Sequence, residues 1–425
     1  MEKPVLRRDI QPVGTIINGR QMITFHDPYQ LSDSGIALDA TSLPILQLLD
    51  GSHDVRDIQI ILMKRQRGRI VYTSEIESFI NNLDRAFLLQ SEYFENKLNE
   101  LRRDFSSRDN RLPIHAGKSY PSDARLLSRS IREIENSIHH KGSGDIPDSI
   151  AGIIAPHIDI KAAQHVYVNT YRHLKDKRYD LVIIFGINHH VQDGLYCVTE
   201  KNYVTPFGEI KTDRTFISEL KRRVPEGTLT PDDFGHKIEH SIEFQTIFLH
   251  HFLREPFSIV PVLCGSIHDL ISQKKDIFSD HRYCGMVNTV NDLIGERKAR
   301  TLLVAGVDFS HVGLKFGDQL PAEVILPQAH ANDRKILSLL SQGKIAEIYK
   351  NALETQDRYH VCGLHAILVI GSLLKGSHAT ILHSEIYDER VTKSAVTYAS
   401  LLLPPPHPQS SGNPAGSSGA PSIPK

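Results

Sequence analysis

The chain has 425 residues with 49 Lys and Arg against 50 Asp and Glu, a net charge of −1 at pH 7, and that length suggests two or three domains at roughly 100–200 residues each. Near-neutral charge without a long Lys/Arg run gives no footprint for gripping phosphate backbones, which argues against a nucleic-acid partner. Residues 1–20 hold no apolar signal-type region and no apolar run approaches the ~18 residues of a membrane span, so a soluble, cytoplasmic protein with no membrane partner is expected.

The four cysteines, Cys197, Cys264, Cys284 and Cys362, form no CxxC pair, so neither a disulfide framework nor a zinc ribbon is signalled. Histidine is the unusual count, at 23 against 16 Phe and 14 Tyr.

In chain order, residues 1–95 read as a small domain of helices with some strand. Thr41 can cap a helix running through Leu46 and Leu49 to the Asp50-Gly51 turn. His53 or Asp54 can cap the next, with Val55, Ile58, Ile61 and Leu62 on its apolar face, and Ser74 starts a third through Ile76, Phe79, Ile80 and Leu83. Residues 96–148 form a connecting arm, charged and helical at first, then polar with breakers such as Pro113 and Gly142. Residues 404–425 contain seven Pro, five Ser and three Gly, too little apolar surface to offset chain entropy, and are expected to be disordered.

Between residues 149 and 403, short apolar runs at 150–155, 181–187, 258–263 and 301–307 alternate with amphipathic stretches at 162–174, 214–223, 242–252 and 286–294. Further strands fit 378–383 and 394–403. Buried strands alternating with helices predict an α/β domain with a largely parallel central sheet flanked by helices.

The residues just after those strands are polar and rich in histidine: Pro156-His157, Asn188-His189-His190, and Asp308-Phe309-Ser310-His311. The carboxyl ends of strands in an open α/β sheet form its ligand crevice, so three strands deliver histidines to one rim. A fourth cluster, His236 to Glu243, contains HxxEH, the zinc motif of inverzincin peptidases. Asp232, Asp233 and Gly235 place His236 at a loop-to-helix junction rather than mid-helix, which weighs against a zinc peptidase.

The ordered segments IIAPHIDI, IIFGINHHV, TPFGEIKTD, EHSIEFQ, IVPVLCG, VAGVDFSHVG and CGLHAI resemble the Memo family, also called AmmeMemoRadiSam system protein B, over residues 150–403. The resemblance implies the fold of class III extradiol dioxygenases (LigB-type), whose iron sits on two histidines and a carboxylate. It implies His157 and His189 as metal ligands, His240 as a pocket acid/base, and radical-SAM and AMMECR-type partners. The position of the third ligand is matched by Ser310, a poor ligand for Fe(II) or Cu, so Asp308, His311 or His240 is expected to complete the site unless metal affinity is low. The Asp27-Pro28 turn, the LLDG helix end and Phe87-Leu88-Leu89 resemble PqqD-like winged-helix domains that recognise leader peptides, and a generic winged-helix appendage fits equally.

With a metal bound, two imidazoles and an anionic ligand leave open positions for a chelating, catechol-like substrate and O2, and a histidine near pKa ~6.5 can move a proton. Glu239 or Glu243 can orient His240, although Glu243 also fits a solvated or capping acid. The TPFGEIKTD loop fits a lid or a plain turn. Cys362 fits either a thiol activated by a helix N-terminus or a buried structural cysteine. Two functions are compatible with these residues: a metal-dependent oxidoreductase, or a non-catalytic module that uses the pocket to bind a peptide or small molecule.

Overall fold

A computed structural model of the chain describes residues 3–29, 31, 36–65, 70–138, 146–189, 194–253 and 256–406. His190, Gly142 and most of the Pro/Ser/Gly tail, from residue 407 on, lie outside the described residues.

The N-terminal region opens with a hairpin, Gln11–Ile17 against Arg20–His26. Its turn is Asn18-Gly19, with φ of 51° and 76°, the pair of positive angles that lets a two-residue turn follow the twist of its strands. Ala37–Asp39 completes a three-stranded antiparallel sheet. The expected first helix is cut to Leu43–Leu46, because Leu48 and Leu49 bond back only three residues and Gly51, at φ 83°, turns the chain. The other two form at Val55–Arg65 and Thr73–Arg85. Asp54 caps the first reciprocally with Asp57, and the Glu75 carboxylate accepts from the Tyr72 N–H at 3.0 Å, starting the second one residue early. The Asp27-Pro28 turn holds because Asp27 accepts from the N–H groups of Tyr29 and Leu31 and from the buried guanidinium of Arg7.

Glu92–Ser106, capped by Ser91, carries Phe94, Leu98 and Phe105 into a small apolar cluster with Tyr29 and with Phe234 of the second domain. The polar arm beyond it is more ordered than composition suggests. Asn110–Arg111 pairs parallel with Asn202–Thr205, and Ala124–Ser137 is a helix capped by Asp123.

The large sheet has the spatial order His311–Gly313, Ser394–Leu403, Gly152–Ala155, Thr301–Gly306, Leu181–Ile187, Ser258–Cys264, Gly208–Thr212, Asn202–Thr205, Asn110–Arg111. Thr380–Glu389 lies along Ser394–Leu403 and Tyr196–Val198 along Ser258–Cys264. The four central strands, from Gly152–Ala155 to Ser258–Cys264, run parallel and are buried almost throughout. Helices cover both faces: Ile160–Tyr171 and Ser241–Phe252 on one, His281–Arg297 and Leu364–Leu373 on the other. The α/β architecture with a largely parallel sheet is therefore present. Among the described residues no helix is long and apolar enough to cross a membrane.

The TPFGEIKTD segment is a hairpin of Asn202–Thr205 and Gly208–Thr212. Its turn packs Phe207 against His250 and His251 at the end of Ser241–Phe252 remote from His240, about 15 Å of helix away at ~1.5 Å per residue. It is turn chemistry, and a lid role is not available to it.

Candidate metal centre

Two of the parallel strands, Gly152–Ala155 and Leu181–Ile187, each bring a histidine to the rim two residues past their ends. His157 follows Gly152–Ala155 and Pro156. Its backbone N–H donates to Asp308 Oδ1 at 3.0 Å, which ties it to the loop after the neighbouring strand Thr301–Gly306. The imidazole is buried, its Nδ1 makes no hydrogen bond, and Asp308 Oδ2 is 3.9 Å from it. Burial, reinforced by His240 and His189, holds His157 well below the usual imidazole value, so it is neutral.

His189 follows Leu181–Ile187 and Asn188. Both oxygens of Glu239 serve it, Oε1 accepting from the backbone N–H at 2.5 Å and Oε2 lying 2.9 Å from Nδ1. That contact fixes a proton on Nδ1 and aims Nε2 at the Cys362 thiol, so a metal ion that displaces the Nε2 proton would meet an oriented imidazole. Burial opposes charge on His189, but Glu239 and Cys362 outweigh it and raise its pKa well above the ordinary value.

The third donor is Cys362. Its Sγ lies 3.4 Å from His189 Nε2 and 3.6 Å from His157 Nε2, and the donor atoms of His157, His189 and Cys362 all fall within 4.8 Å of one another. Cys362 is set by its backbone: its N–H donates to Phe309 O at 3.1 Å, and the next N–H, of Gly363, donates to Asp308 O at 3.0 Å. A Cβ at Gly363 would meet Val307 Cβ at 2.4 Å and Asp308 O at 2.8 Å, so only glycine lets the start of Leu364–Leu373 approach that strand end. Burial pushes the Cys362 thiol up, with His189 opposing. The helix start therefore does not make it acidic by itself; a metal ion competing for the proton would.

Ser310 stands apart from this trio. Its hydroxyl donates to Asp333 Oδ1 at 2.7 Å, and its backbone N–H donates to Thr397 Oγ1. Asp308, besides holding the His157 loop, is pushed up to about 7 by burial, against backbone bonds that lower it. His311 has Nδ1 on Phe309 O at 3.1 Å and its ring edge-on to Phe316. Burial lowers it to about 4.

His240 lies over the two rim histidines, its ring centroid 5.2 Å from that of His157 and 5.5 Å from that of His189, nearly parallel to the latter. Burial first, then His189, lowers it to about 3, so it is a neutral imidazole rather than one poised near neutral pH. It sits at the break between the short helix Gly235–Ile238 and Ser241–Phe252. His236 is on the other side of that break, with Tyr203 Oη 2.8 Å from Nδ1 and Cys197 O 3.0 Å from Nε2. Both its nitrogens are committed and it shares no helix face with His240, which removes the HxxEH zinc arrangement.

Glu243 is neither solvated nor a cap. It is buried against Arg111, accepts from Tyr120 Oη at 2.5 Å, and accepts from the N–H groups of Ile114 and His115. Arg111 in turn donates to His236 O and Glu239 O. The segment after residue 110 thus buttresses the loop that carries Glu239 and His240. Sequence reasoning missed Arg111 as a support of this loop and Cys362 as a candidate donor, although CGLHAI placed a cysteine at a helix start in the same domain.

The Memo-like protein family model matches residues 111–402. The chain belongs to the Memo-like family. A MEMO1 family protein of Aquifex aeolicus (strain VF5) is 31% identical over 408 residues, covering 94% of this chain and all of that protein. MEMO1 family proteins of Methanopyrus kandleri and Methanosarcina mazei are 28% and 26% identical, covering 60% and 69% of this chain and 83% and 98% of their own lengths. The family match begins at Arg111, the residue that anchors the Glu239–His240 loop. The Aquifex match is long enough to reach well into the N-terminal region.

Proposed function

We propose that this Memo-like chain is a metal-dependent oxidoreductase that holds Fe(II) or Cu on His157, His189 and Cys362. The observation that carries it is the convergence of two imidazole Nε2 atoms and a thiol at the carboxyl-end rim of the sheet. The donor set fits the group: thiolate and imidazole suit copper, iron and zinc and disfavour hard oxygen-seeking ions, and the Glu239 contact presets one imidazole for ligation. Bound there, the ion supplies Lewis acidity and one-electron chemistry.

The remaining roles belong to the chain. Glu239 and Asp308 position His189 and His157. His240, neutral and facing both, is placed to hydrogen-bond a hydroxyl of a chelating, catechol-like substrate, and His311 lines the same rim. Ser310 motivated the rival reading of a non-catalytic binding module; with a thiol in reach of both histidines that motive weakens. Radical-SAM and AMMECR-type proteins are the partners proposed from the family association. The N-terminal domain, with its three-stranded sheet, is proposed as a PqqD-like module that takes an extended peptide at a sheet edge.

Anaerobic purification followed by metal analysis tests the reading. The expected result is about one Fe or Cu per chain, lost in His157→Ala/His189→Ala with far-UV dichroism unchanged, and oxygen uptake with a catechol that depends on that metal. Full metal occupancy in the double variant sinks the ligand assignment. Metal without any oxygen uptake across a catechol panel favours the binding module.

A further inference from the structure

A second group of donors stands away from the rim, where the helix Ile160–Tyr171 crosses the edge strand Thr380–Glu389. His165 Nε2 is 2.9 Å from Glu385 Oε1, His383 Nδ1 is 3.3 Å from the same oxygen, and the donor atoms of the three residues lie within 4.8 Å of one another. A tetrahedral zinc with Zn–N and Zn–O distances of roughly 2.0–2.2 Å places its ligand atoms roughly 3.3 Å apart. The two spacings to Glu385 Oε1 are close to that, and the two histidine nitrogens lie within 4.8 Å of each other.

The neighbours add an independent observation. Asn169, one helical turn beyond His165, has its amide 2.6 Å from His383 Nε2 through Nδ2, while its Oδ1 is buried and has no hydrogen-bond partner. Turning the amide over gives Oδ1 the Nε2–H of His383 as donor, and the two orientations are distinguished by hydrogen bonding alone. With the proton on Nε2, Nδ1 presents a lone pair to the Glu385 carboxylate 3.3 Å away. Two acceptors facing each other are joined by either a proton or a metal cation between them. A ligating histidine that donates its other N–H to a carbonyl is the usual outer support of a metal site, and Tyr398 Oη donates to the second Glu385 oxygen at 3.0 Å in the same role.

We infer that His165, His383 and Glu385 form a second divalent-metal site, of zinc type, oriented by Asn169 and Tyr398. His165 is half exposed, which leaves the fourth position to water. The site clips the helix that follows the His157 loop to the sheet's edge strand.

Titration of zinc(II) into the full chain carrying His157→Ala, His189→Ala and Cys362→Ser is expected to give one bound equivalent, and adding His383→Ala is expected to abolish it. Asn169→Leu in that background should weaken zinc by about 10–100-fold, the usual effect of losing an outer-shell partner. Should the triple variant not fold, the count is taken in the otherwise unaltered chain, where His165→Ala/His383→Ala should lower bound zinc by one equivalent and leave the rim metal in place. Equal zinc in the presence and absence of His165 and His383 overturns the site. So does a doubly protonated His383 at pH 7 with excess zinc present, read from its imidazole nitrogen shifts, because a proton then fills the gap.

Discussion

Ser310 stands two residues past Asp308 and Cys362 is brought beside the same loop by backbone bonds to Phe309 and Asp308, yet their side chains go to different places. The strand end sends the Ser310 hydroxyl inward to Asp333, a carboxylate that burial raises and the Ser310 and Thr397 hydroxyls lower. The Leu364–Leu373 helix start brings the thiol outward to the two rim histidines. Cys362→Ser should therefore remove most bound Fe or Cu, while Ser310→Ala should keep the metal and instead cost about 1.5–3 kcal/mol for the lost bond to a charged group. Metal analysis and urea denaturation of the two variants separate these effects, and the reverse pattern would return the third-ligand role to Ser310. The strand-end histidines His157 and His189 were legible because each stands two residues past the end of an apolar run. Cys362 was not, because its place depends on a contact between Gly363 and Val307 that no local pattern encodes.

At the same scale, His236 makes the fold acid-sensitive. Burial first, against its bond to Cys197 O, lowers it to about 3, while the unfolded chain titrates near pH ~6.5. The native state thus refuses a proton that the unfolded state takes. The stability His236 contributes is complete above that unfolded value and is lost as pH falls toward 3, by up to about 1.4 kcal/mol per pH unit. Urea midpoints from pH 7 to 4.5 should fall, and His236→Gln should start lower but fall less steeply. Parallel slopes would show that other groups govern the acid limb.

The element that organises the pocket is the helix Ser241–Phe252 with the break before it. Gly186 and Gly306, on two adjacent strands, let its first turn lie against the sheet; a Cβ at Gly306 would meet Ser241 O at 2.6 Å. Ser241 then bridges Ile187 through its hydroxyl, and Gln245 reaches Pro156 O at 2.9 Å. Both histidine-bearing loops are therefore braced by one helix. Glu243, one turn in, holds the 110–116 segment through Arg111. Removing one partner of a buried ion pair strands the other charge, so Glu243→Gln should cost about 3–5 kcal/mol, measured by chemical denaturation, and a loss under about 1 kcal/mol would mean water reaches Arg111. The parallel strands of this region were legible as continuous apolar runs because both their faces are buried. The arm strand Asn110–Arg111 was not, since a two-residue strand with a buried arginine reads as polar linker until its distant partner Glu243 is known.

At the scale of the molecule, the two domains meet through aromatic and charged groups around Phe234, and the hairpin strand Gln11–Ile17 also touches the Arg390–Thr392 turn of the sheet domain. Phe234, two residues before the His236 anchor, packs with Phe105 edge-on and with Tyr29, and Arg102 lies over its ring. Lys201 of the sheet domain donates to Arg108 O and covers Phe105. Beside them is a cleft of about 820 Å³ lined by Leu6, Arg8, Phe94, Arg102, Phe234 and Ile238 among others. The N-terminal core itself is separate, built from Ile10, Ile58, Ile76, Leu88 and their neighbours. The two cores can therefore come apart without either being emptied. Phe234→Ala removes the ring shared by Tyr29, Phe105 and Arg102, and truncating a buried phenylalanine costs about 3–5 kcal/mol where the surroundings cannot collapse. Because the loss falls on the contact between two cores, its first sign should be separation of the domains. Hydrogen exchange should rise in Glu92–Ser106 and around Tyr29, while the central parallel strands stay protected and the rim keeps its metal. Exchange rising equally in Leu181–Ile187 would show instead that Phe234 supports the sheet domain, and that the two domains unfold as one unit.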